Sequence, residues 1–227
     1  SYAPKCWTKY PSKHKGQNVS LALTNSCNYY FYTVADRLGI EKLYKWASLL
    51  GLTSKTGIEL SGEVAGVVGN QSVLYDSSRG ITSQRSSKSN YVARTILKTL
   101  RNTGDALGRN FEEERLERTT QKLMDLVLEE YDSTEMIEQI RQVLMTELGL
   151  SSEEISSRYL LNTLNSYLRE IRWTPTETIM TGIGQSITEV TPVGVARYIA
   201  AVANGGDVLE VQLVDRVLSP DGSVVME

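Results

Sequence analysis

Three apolar stripes at helical spacing run through residues 110–172, and they constrain the fold more than any other feature of the 227-residue chain. Apolar side chains that recur every three or four positions lie on one face of a helix. Asp132 with Glu135, and Ser151 with Glu154, have the spacing of capping boxes. The pattern therefore predicts a helical hairpin or a three-helix insert. The stripes comprise Leu123, Val127 and Tyr131; Ile137, Ile140, Leu144 and Leu148; and Ile155, Tyr159, Leu164, Leu168 and Ile171.

The balance of charge also changes along the chain. Residues 77–104 hold six basic side chains and no acidic one, whereas residues 110–172 hold fourteen acids against seven bases. Such a shift marks a change of module more often than a ligand site. We therefore predict a polar loop and an acidic helical insert over residues 72–172, between segments at 1–71 and 173–227.

Two shorter helical patterns precede this insert. The first follows Asn28 and stops at Gly39, and the second begins at once and stops at Gly51. Both should bury one apolar face. The predicted inward faces carry Phe31, Val34, Ala35 and Leu38 in the first helix, and Leu43, Trp46, Ala47 and Leu50 in the second.

The end of the chain combines a helix with a β-hairpin. Thr191-Pro192 supplies a cap and a proline at the first helical position, and the helix should run through Ala203. Val211, Leu213 and Val217 lie at alternating positions, a turn sequence occupies 219–222, and Val224-Val225 follows. The predicted fold is therefore mainly α, with a helical insert and a C-terminal β-hairpin.

Composition excludes several classes of protein. The net charge of −3 gives no sign of nucleic-acid binding, and no apolar run reaches the 18 residues of a membrane-spanning helix. His14 is the single histidine, which argues against a Ser-His-Asp hydrolase. Cys6 and Cys27 are too few for a disulfide framework and too isolated in sequence for a zinc site, although one bridge stays possible. We predict neither a metal nor a cofactor.

Three ordered stretches of sequence resemble motifs of the penicillin-binding transpeptidases, and the opening Cys6-Trp7 and His14-Lys15-Gly16 are similar to the elongation-type class B proteins. This resemblance implies a helical subdomain of the β-lactamase-like α/β transpeptidase fold, with the hairpin joining its five-stranded sheet. The stretches are Ser26-Cys27-Asn28 with Tyr29 to Tyr32 and Leu38-Gly39-Ile40; Lys55 to Glu63; and Gly182 to Gln185, followed by Thr191-Pro192 and Ala203 to Gly206.

The resemblance also implies an acyl-transfer chemistry. Attack on a D-alanyl-D-alanine stem peptide needs a serine nucleophile and a nearby base, which this family supplies from one S-x-x-K turn. By resemblance, Ser26 is the hydroxyl that relays a proton between the lysine and the leaving group. Asn28 is the amide that orients the substrate, and Cys27 points into packing. The alternative is that Ser26 and Asn28 are ordinary helix-capping residues.

Two further matches to family motifs are predicted to be non-catalytic. Ser12 and Lys15 spell S-x-x-K, but they lie in a cationic stretch that gives the lysine no desolvation to lower its pKa. Lys55-Thr56-Gly57 precedes the helix that the family's catalytic K-T-G follows. We therefore predict that the nucleophile and the third motif are absent from these 227 residues, and that the chain alone is inactive.

These expectations describe part of a serine-type D,D-transpeptidase that cross-links peptidoglycan. The resemblance implies a protein anchored in the bacterial cell membrane and facing outward, with stem peptides, β-lactams and cell-wall synthesis proteins as partners. An exposed hairpin edge would also permit a homodimer. Two other readings stay open. One is a non-catalytic module whose acidic hairpin docks cell-wall proteins, and the other is a β-lactamase or β-lactam sensor, although no motif supplies the carboxylate that deacylation requires.

Overall fold

A computed structural model describes residues 5–8, 14–155 and 158–226. The described chain is mainly helical and carries a two-stranded antiparallel hairpin, which confirms the predicted fold class. It divides into two compact units, one formed by residues 1–70 with 174–227 and the other by residues 71–173. No helix in these ranges combines the length and apolarity needed to cross a membrane.

Ten α-helices and two strands make up the described elements. In chain order they are α1 Val19–Thr24, α2 Asn28–Leu38, α3 Ile40–Leu49, α4 Gln71–Leu74, α5 Ser87–Ala106, α6 Glu113–Asp125, α7 Ser133–Leu148, α8 Arg158–Glu170, α9 Pro175–Thr181, α10 Pro192–Ala203, β1 Val217–Leu218 and β2 Val224–Met226, with a 3-10 turn at Leu126–Leu128 after α6.

The core of the 71–173 unit is formed by α5, α6, α7 and α8. The apolar stripes supply much of this core, because most of their members are almost completely buried and exclude water from the bundle. Tyr159 differs from the prediction. Its side chain is 80% exposed, since Leu160 and Leu161 take the inward positions. The buried stripe residues include Leu123, Ile140, Leu144, Leu148, Ile155, Leu164, Leu168 and Ile171, and residues outside the stripes, among them Tyr75, Ile96, Leu100, Leu116, Met124 and Leu161, are buried with them.

Local hydrogen bonds define the start of α7 and join the two ends of this unit. The Asp132 carboxylate accepts from the N–H groups of Thr134 and Glu135, and the Glu135 carboxylate accepts from Asp132 N–H, so the predicted capping box is present. The Gln71 carboxamide donates to Ile171 O at 3.1 Å and accepts from Trp173 N–H at 2.7 Å. The chain therefore enters and leaves the 71–173 unit at one place.

In the other unit, α2 and α9 approach closely where Gly182 follows α9. A Cβ atom added to Gly182 would lie 2.4 Å from the Ala35 Cβ and 3.2 Å from Phe31 O. Only glycine leaves room for this approach. The glycine of the family-like Gly182-Ile183-Gly184-Gln185 stretch is therefore required by packing.

We expect Gly182→Ala to lower the free energy of unfolding by about 1–3 kcal/mol, because the added methyl overpacks the α2–α9 contact. For a chain of this size the melting temperature should fall by roughly 2–4 °C per kcal/mol, as measured by calorimetry. Gly80→Ala is the control, since its added Cβ would meet nothing closer than 3.7 Å. Equal melting temperatures for the two variants would contradict the packing argument.

Two predictions for this unit are wrong in detail. Trp46 and Val34 were expected to face inward but are 56% and 40% exposed. The hairpin is also shorter than predicted, because residues 211–216 belong to neither strand. Instead, Val211 N–H donates to Thr56 O at 3.1 Å and Leu213 N–H donates to the Glu59 carboxylate at 2.9 Å. These bonds hold the segment against a loop and leave a two-residue first strand.

Candidate active-site turn

Ser26 lies just after α1 and has a left-handed backbone conformation, which glycine usually occupies. Its φ is +49°, its N–H donates to Leu23 O, and Cys27 N–H donates to Ala22 O. This pair of bonds is the Schellman motif, in which the residue after the helix cap is left-handed. A serine at this position carries a backbone strain on the order of 1 kcal/mol. The sequence therefore keeps a hydroxyl where glycine would be the easier choice.

The three residues of the Ser26-Cys27-Asn28 turn alternate in burial. Ser26 and Asn28, the first residue of α2, are exposed, whereas the Cys27 side chain is only 2% exposed. Within the described ranges, neither the Ser26 hydroxyl nor the Asn28 carboxamide has a hydrogen-bond partner. The turn thus presents a free hydroxyl and a free amide to solvent on either side of a buried anchor. The catalytic roles of Ser26 and Asn28 stay predictions.

The start of the described chain lies against this turn. Trp7 Nε1 donates to Ser26 O at 3.1 Å, and the Trp7 ring meets the His14 ring edge to face at 5.5 Å. Ser26 O also accepts from Asn28 N–H at 3.1 Å, so the indole N–H is a second donor to a carbonyl that already bridges the turn to α2. Trp7 and His14 therefore support the backbone of the turn from outside.

Cys6, His14 and Cys27 form a cluster of possible metal ligands beneath the turn. Cys6 Sγ lies 3.0 Å from His14 Nδ1, and the donor atoms of all three residues lie within 4.8 Å of one another. The premise that the cysteines are too isolated for a zinc site is therefore wrong, because folding brings together residues that are distant in sequence. Two thiols and an imidazole are ligands that Zn²⁺ accepts, so this cluster could hold such an ion.

The Lys55-Thr56-Gly57 triplet is occupied by internal bonds. Thr56 is buried, and its N–H and hydroxyl both donate to the Glu63 carboxylate, at 2.5 and 2.7 Å. Gly57 N–H donates to the same carboxylate at 3.3 Å. These contacts use the polar groups of Thr56 and Gly57 for folding, which supports the predicted structural role. Ser12 lies outside the described residues, so the S-x-x-K match is not placed.

The stability of this loop should depend on pH through the Glu63 carboxyl group. The hydroxyl and N–H of Thr56 hold the pKa of the Glu63 carboxyl below its ordinary value of 4.5. Because the pKa is lower in the folded than in the unfolded state, the ionised Glu63 carboxylate stabilises the folded state above pH 4.5. This stabilisation is lost as pH falls through the folded pKa. We expect the urea midpoint to decrease below pH 4.5, and to decrease less steeply in Glu63→Gln. Parallel pH profiles for the two proteins would contradict this account.

Comparison with known proteins agrees with these motifs. A 64-residue stretch is 39% identical to stage V sporulation protein D of Bacillus subtilis and 34% identical to the peptidoglycan D,D-transpeptidase MrdA of Acinetobacter baumannii. The matched stretch covers 28% of this chain and 10% and 9% of those proteins, so the chain spans about a tenth of the relatives' length. No solved structure matches. The sequence model of the penicillin-binding protein transpeptidase domain matches residues 2–150 and 149–224, and the chain therefore belongs to that family.

Proposed function

We propose that this chain is part of a serine-type peptidoglycan D,D-transpeptidase in which Ser26 relays protons and Asn28 orients the substrate. One observation carries the proposal. In this member of the family, the Ser26 hydroxyl and the Asn28 carboxamide lie on either side of the buried Cys27, at the bend between α1 and α2, and neither has a hydrogen-bond partner among the described residues. The capping alternative is less favoured, because α1 is capped by Asn18 and neither side chain caps α2.

The chemistry follows from the two functional groups. A hydroxyl both accepts and donates a hydrogen bond, so Ser26 can take a proton from a neighbouring lysine and pass it to the leaving amine. A carboxamide likewise offers a donor to a substrate carbonyl and an acceptor to the lysine. The attacking serine and its lysine are proposed to come from another part of a longer protein, since the Ser12 match lacks the surroundings that activate a lysine.

The substrate and setting are proposed from the family and its relatives. MrdA is named as a peptidoglycan D,D-transpeptidase, which supports stem peptides as acyl donors, and the penicillin-binding family supports β-lactams as inhibitors. The resemblance of Cys6-Trp7 and His14-Lys15-Gly16 to the elongation-type class B proteins supports a protein of that type. Such a protein works at the outer face of the cell membrane with other cell-wall synthesis proteins, and we propose that setting here.

Labelling with a fluorescent penicillin tests this function. We expect the full-length protein to be labelled covalently and the 227-residue chain to remain unlabelled under the same conditions. Ser12→Ala in the full-length protein serves as the control and should leave labelling unchanged. Labelling of the 227-residue chain that disappears in Ser12→Ala would overturn the proposal, because the nucleophile would then lie within this sequence.

A further inference from the structure

A cavity of about 310 Å³ is lined by the segment 14–17 and by one face of α2. The α2 face carries Tyr30, Thr33 and Arg37, which are three or four residues apart and therefore share one side of the helix. Gln17 lines the cavity from the preceding segment, and the buried Cys27 lines it at the start of α2. The volume is at the lower end of the range for small-molecule sites, so the cavity suits a small ligand.

The Gln17 carboxamide is the least expected feature of this cavity. Its nitrogen and its oxygen are both shielded from water, and neither has a hydrogen-bond partner among the described residues. Buried amide groups are bonded in most proteins, because a group that loses water without gaining a partner lowers stability. A carboxamide offers a donor and an acceptor side by side, which are the two groups that a peptide unit needs. Gln17 thus keeps at the cavity a polar group that folding of the described chain does not use.

Arg37 sets the charge of the cavity. Its guanidinium is the one permanently charged group among the described residues that line the cavity, and none of those residues is acidic. Arg37 is exposed and forms no ion pair within the described ranges. A planar guanidinium binds a carboxylate through two parallel hydrogen bonds. The cavity therefore favours an anionic ligand, and a carboxylate fits its cation best.

We propose that this cavity binds the free carboxyl-terminal end of a short peptide. Arg37 pairs with the terminal carboxylate, and the Gln17 carboxamide donates to and accepts from the last peptide group. The tyrosine rings of the α2 face pack against the side chains of the peptide. Arg37 and Tyr29 are both exposed at the cavity, so the peptide can enter from solvent.

Cys27 connects this site to the candidate active-site turn. Its side chain is the buried anchor between Ser26 and Asn28, and it also forms part of the cavity wall. A peptide that fills the cavity therefore contacts the side chain that holds the turn in place. The consequence for acyl transfer rests on the proposed transpeptidase function, but the binding of the peptide does not.

Titration of the isotope-labelled 227-residue chain with acetyl-alanyl-alanine, followed by NMR, tests the site. The L,L and D,D forms are both used, because the proposed contacts are to the carboxylate and the peptide group, and binding of either form supports the site. The free acid should shift the side-chain signals of Gln17 and Arg37 and should saturate in the millimolar range expected of so small a ligand. The carboxyl-terminal amide of the same peptide should bind about tenfold more weakly, since it lacks the charge that Arg37 pairs with.

Three variants test the assigned contacts. Arg37→Gln should weaken binding of the free acid about tenfold and should make the acid and the amide bind equally. Gln17→Leu should weaken both forms and yet raise the melting temperature, because it removes buried polar atoms that lack partners. A purely structural residue would not lose binding while gaining stability. Arg94→Gln removes an exposed guanidinium from α5 in the other unit and should bind both forms like the wild type.

Any one of three results would overturn the peptide site. The signals of Gln17 and Arg37 could stay unshifted up to the solubility limit of both peptides, the wild type could bind the acid and the amide equally, or Arg37→Gln could bind the acid as tightly as the wild type does. No readout here uses penicillin. Failure of the peptide site therefore leaves the transpeptidase proposal standing, and failure of penicillin labelling leaves the peptide site standing.

Discussion

Ser26→Ala, introduced into the full-length protein, should lower the rate constant of acylation by fluorescent penicillin by about 10²–10⁴-fold. This is the usual effect of removing a positioned group that transfers a proton in the transition state. The Ser26 hydroxyl is exposed and has no partner among the described residues, so nothing in its surroundings replaces it. Penicillin binding before the chemical step should change much less, because the relay acts on proton transfer. Stopped-flow or gel-based labelling over a range of penicillin concentrations separates the two.

Two variants distinguish lost chemistry from lost folding. Ser26→Gly also removes the hydroxyl, but glycine accepts the φ of +49° without strain, so it should be about 0.5–1 kcal/mol more stable than Ser26→Ala. Both variants should lose acylation equally. Ser20→Ala changes another exposed serine of the same segment and should acylate like the wild type. A Ser26→Ala protein that acylates within a few-fold of the wild type would refute the relay.

Features that depend on neighbouring residues could be predicted from the sequence. The caps of α7 and α10 were correct, because a cap is decided by a few adjacent side chains. The placement of Ser26 and Asn28 at a bend between helices also agrees with the resemblance. The burial of Cys27 follows from the same local geometry, since a one-residue spacer turns the middle side chain away from its neighbours.

Features that depend on distant contacts could not be predicted. Cys6, His14 and Cys27 meet only after the chain folds back on α1, and no spacing rule connects them. Val211 and Leu213 have the spacing of a strand, yet their N–H groups pair with the loop at 56–59. A periodic pattern shows which residues can share a face, but it does not say which partner covers that face.

Arg197 lies in the middle of α10 and was not singled out from the sequence. Its contacts should nevertheless contribute strongly to the stability of its unit. It is only 8% exposed, and its guanidinium donates to Gly51 O, to Lys55 O at 2.9 Å and to the Ser54 hydroxyl at 2.9 Å. The Nη2 atom would lie 2.8 Å from a Cβ at Gly51, so the glycine makes room for it. One side chain thus holds the whole loop that leads into Thr56.

Arg197→Met should lower the free energy of unfolding of its unit by about 2–4 kcal/mol. Methionine keeps the apolar stem but leaves the buried Gly51 carbonyl and the partly buried Lys55 carbonyl without their donor, and that desolvation is the larger part of the loss. The melting temperature in calorimetry should fall by roughly 2–4 °C per kcal/mol. Arg197→Lys should recover only part of the lost stability, because one ammonium group cannot reach all the acceptors that the planar guanidinium group bonds at once.

Arg216→Met is the matched control for this loss. Arg216 is exposed and, among the described residues, pairs only with the neighbouring Asp215, so its removal should change the stability by less than about 0.5 kcal/mol. If Arg197→Met and Arg216→Met melt together, the buried guanidinium contributes nothing net and the loop is held by its other bonds, such as those between Thr56 and Glu63. If only Arg197→Met melts early, α10 and the Lys55-Thr56-Gly57 loop form one structural support, and a catalytic role for that triplet would require breaking it.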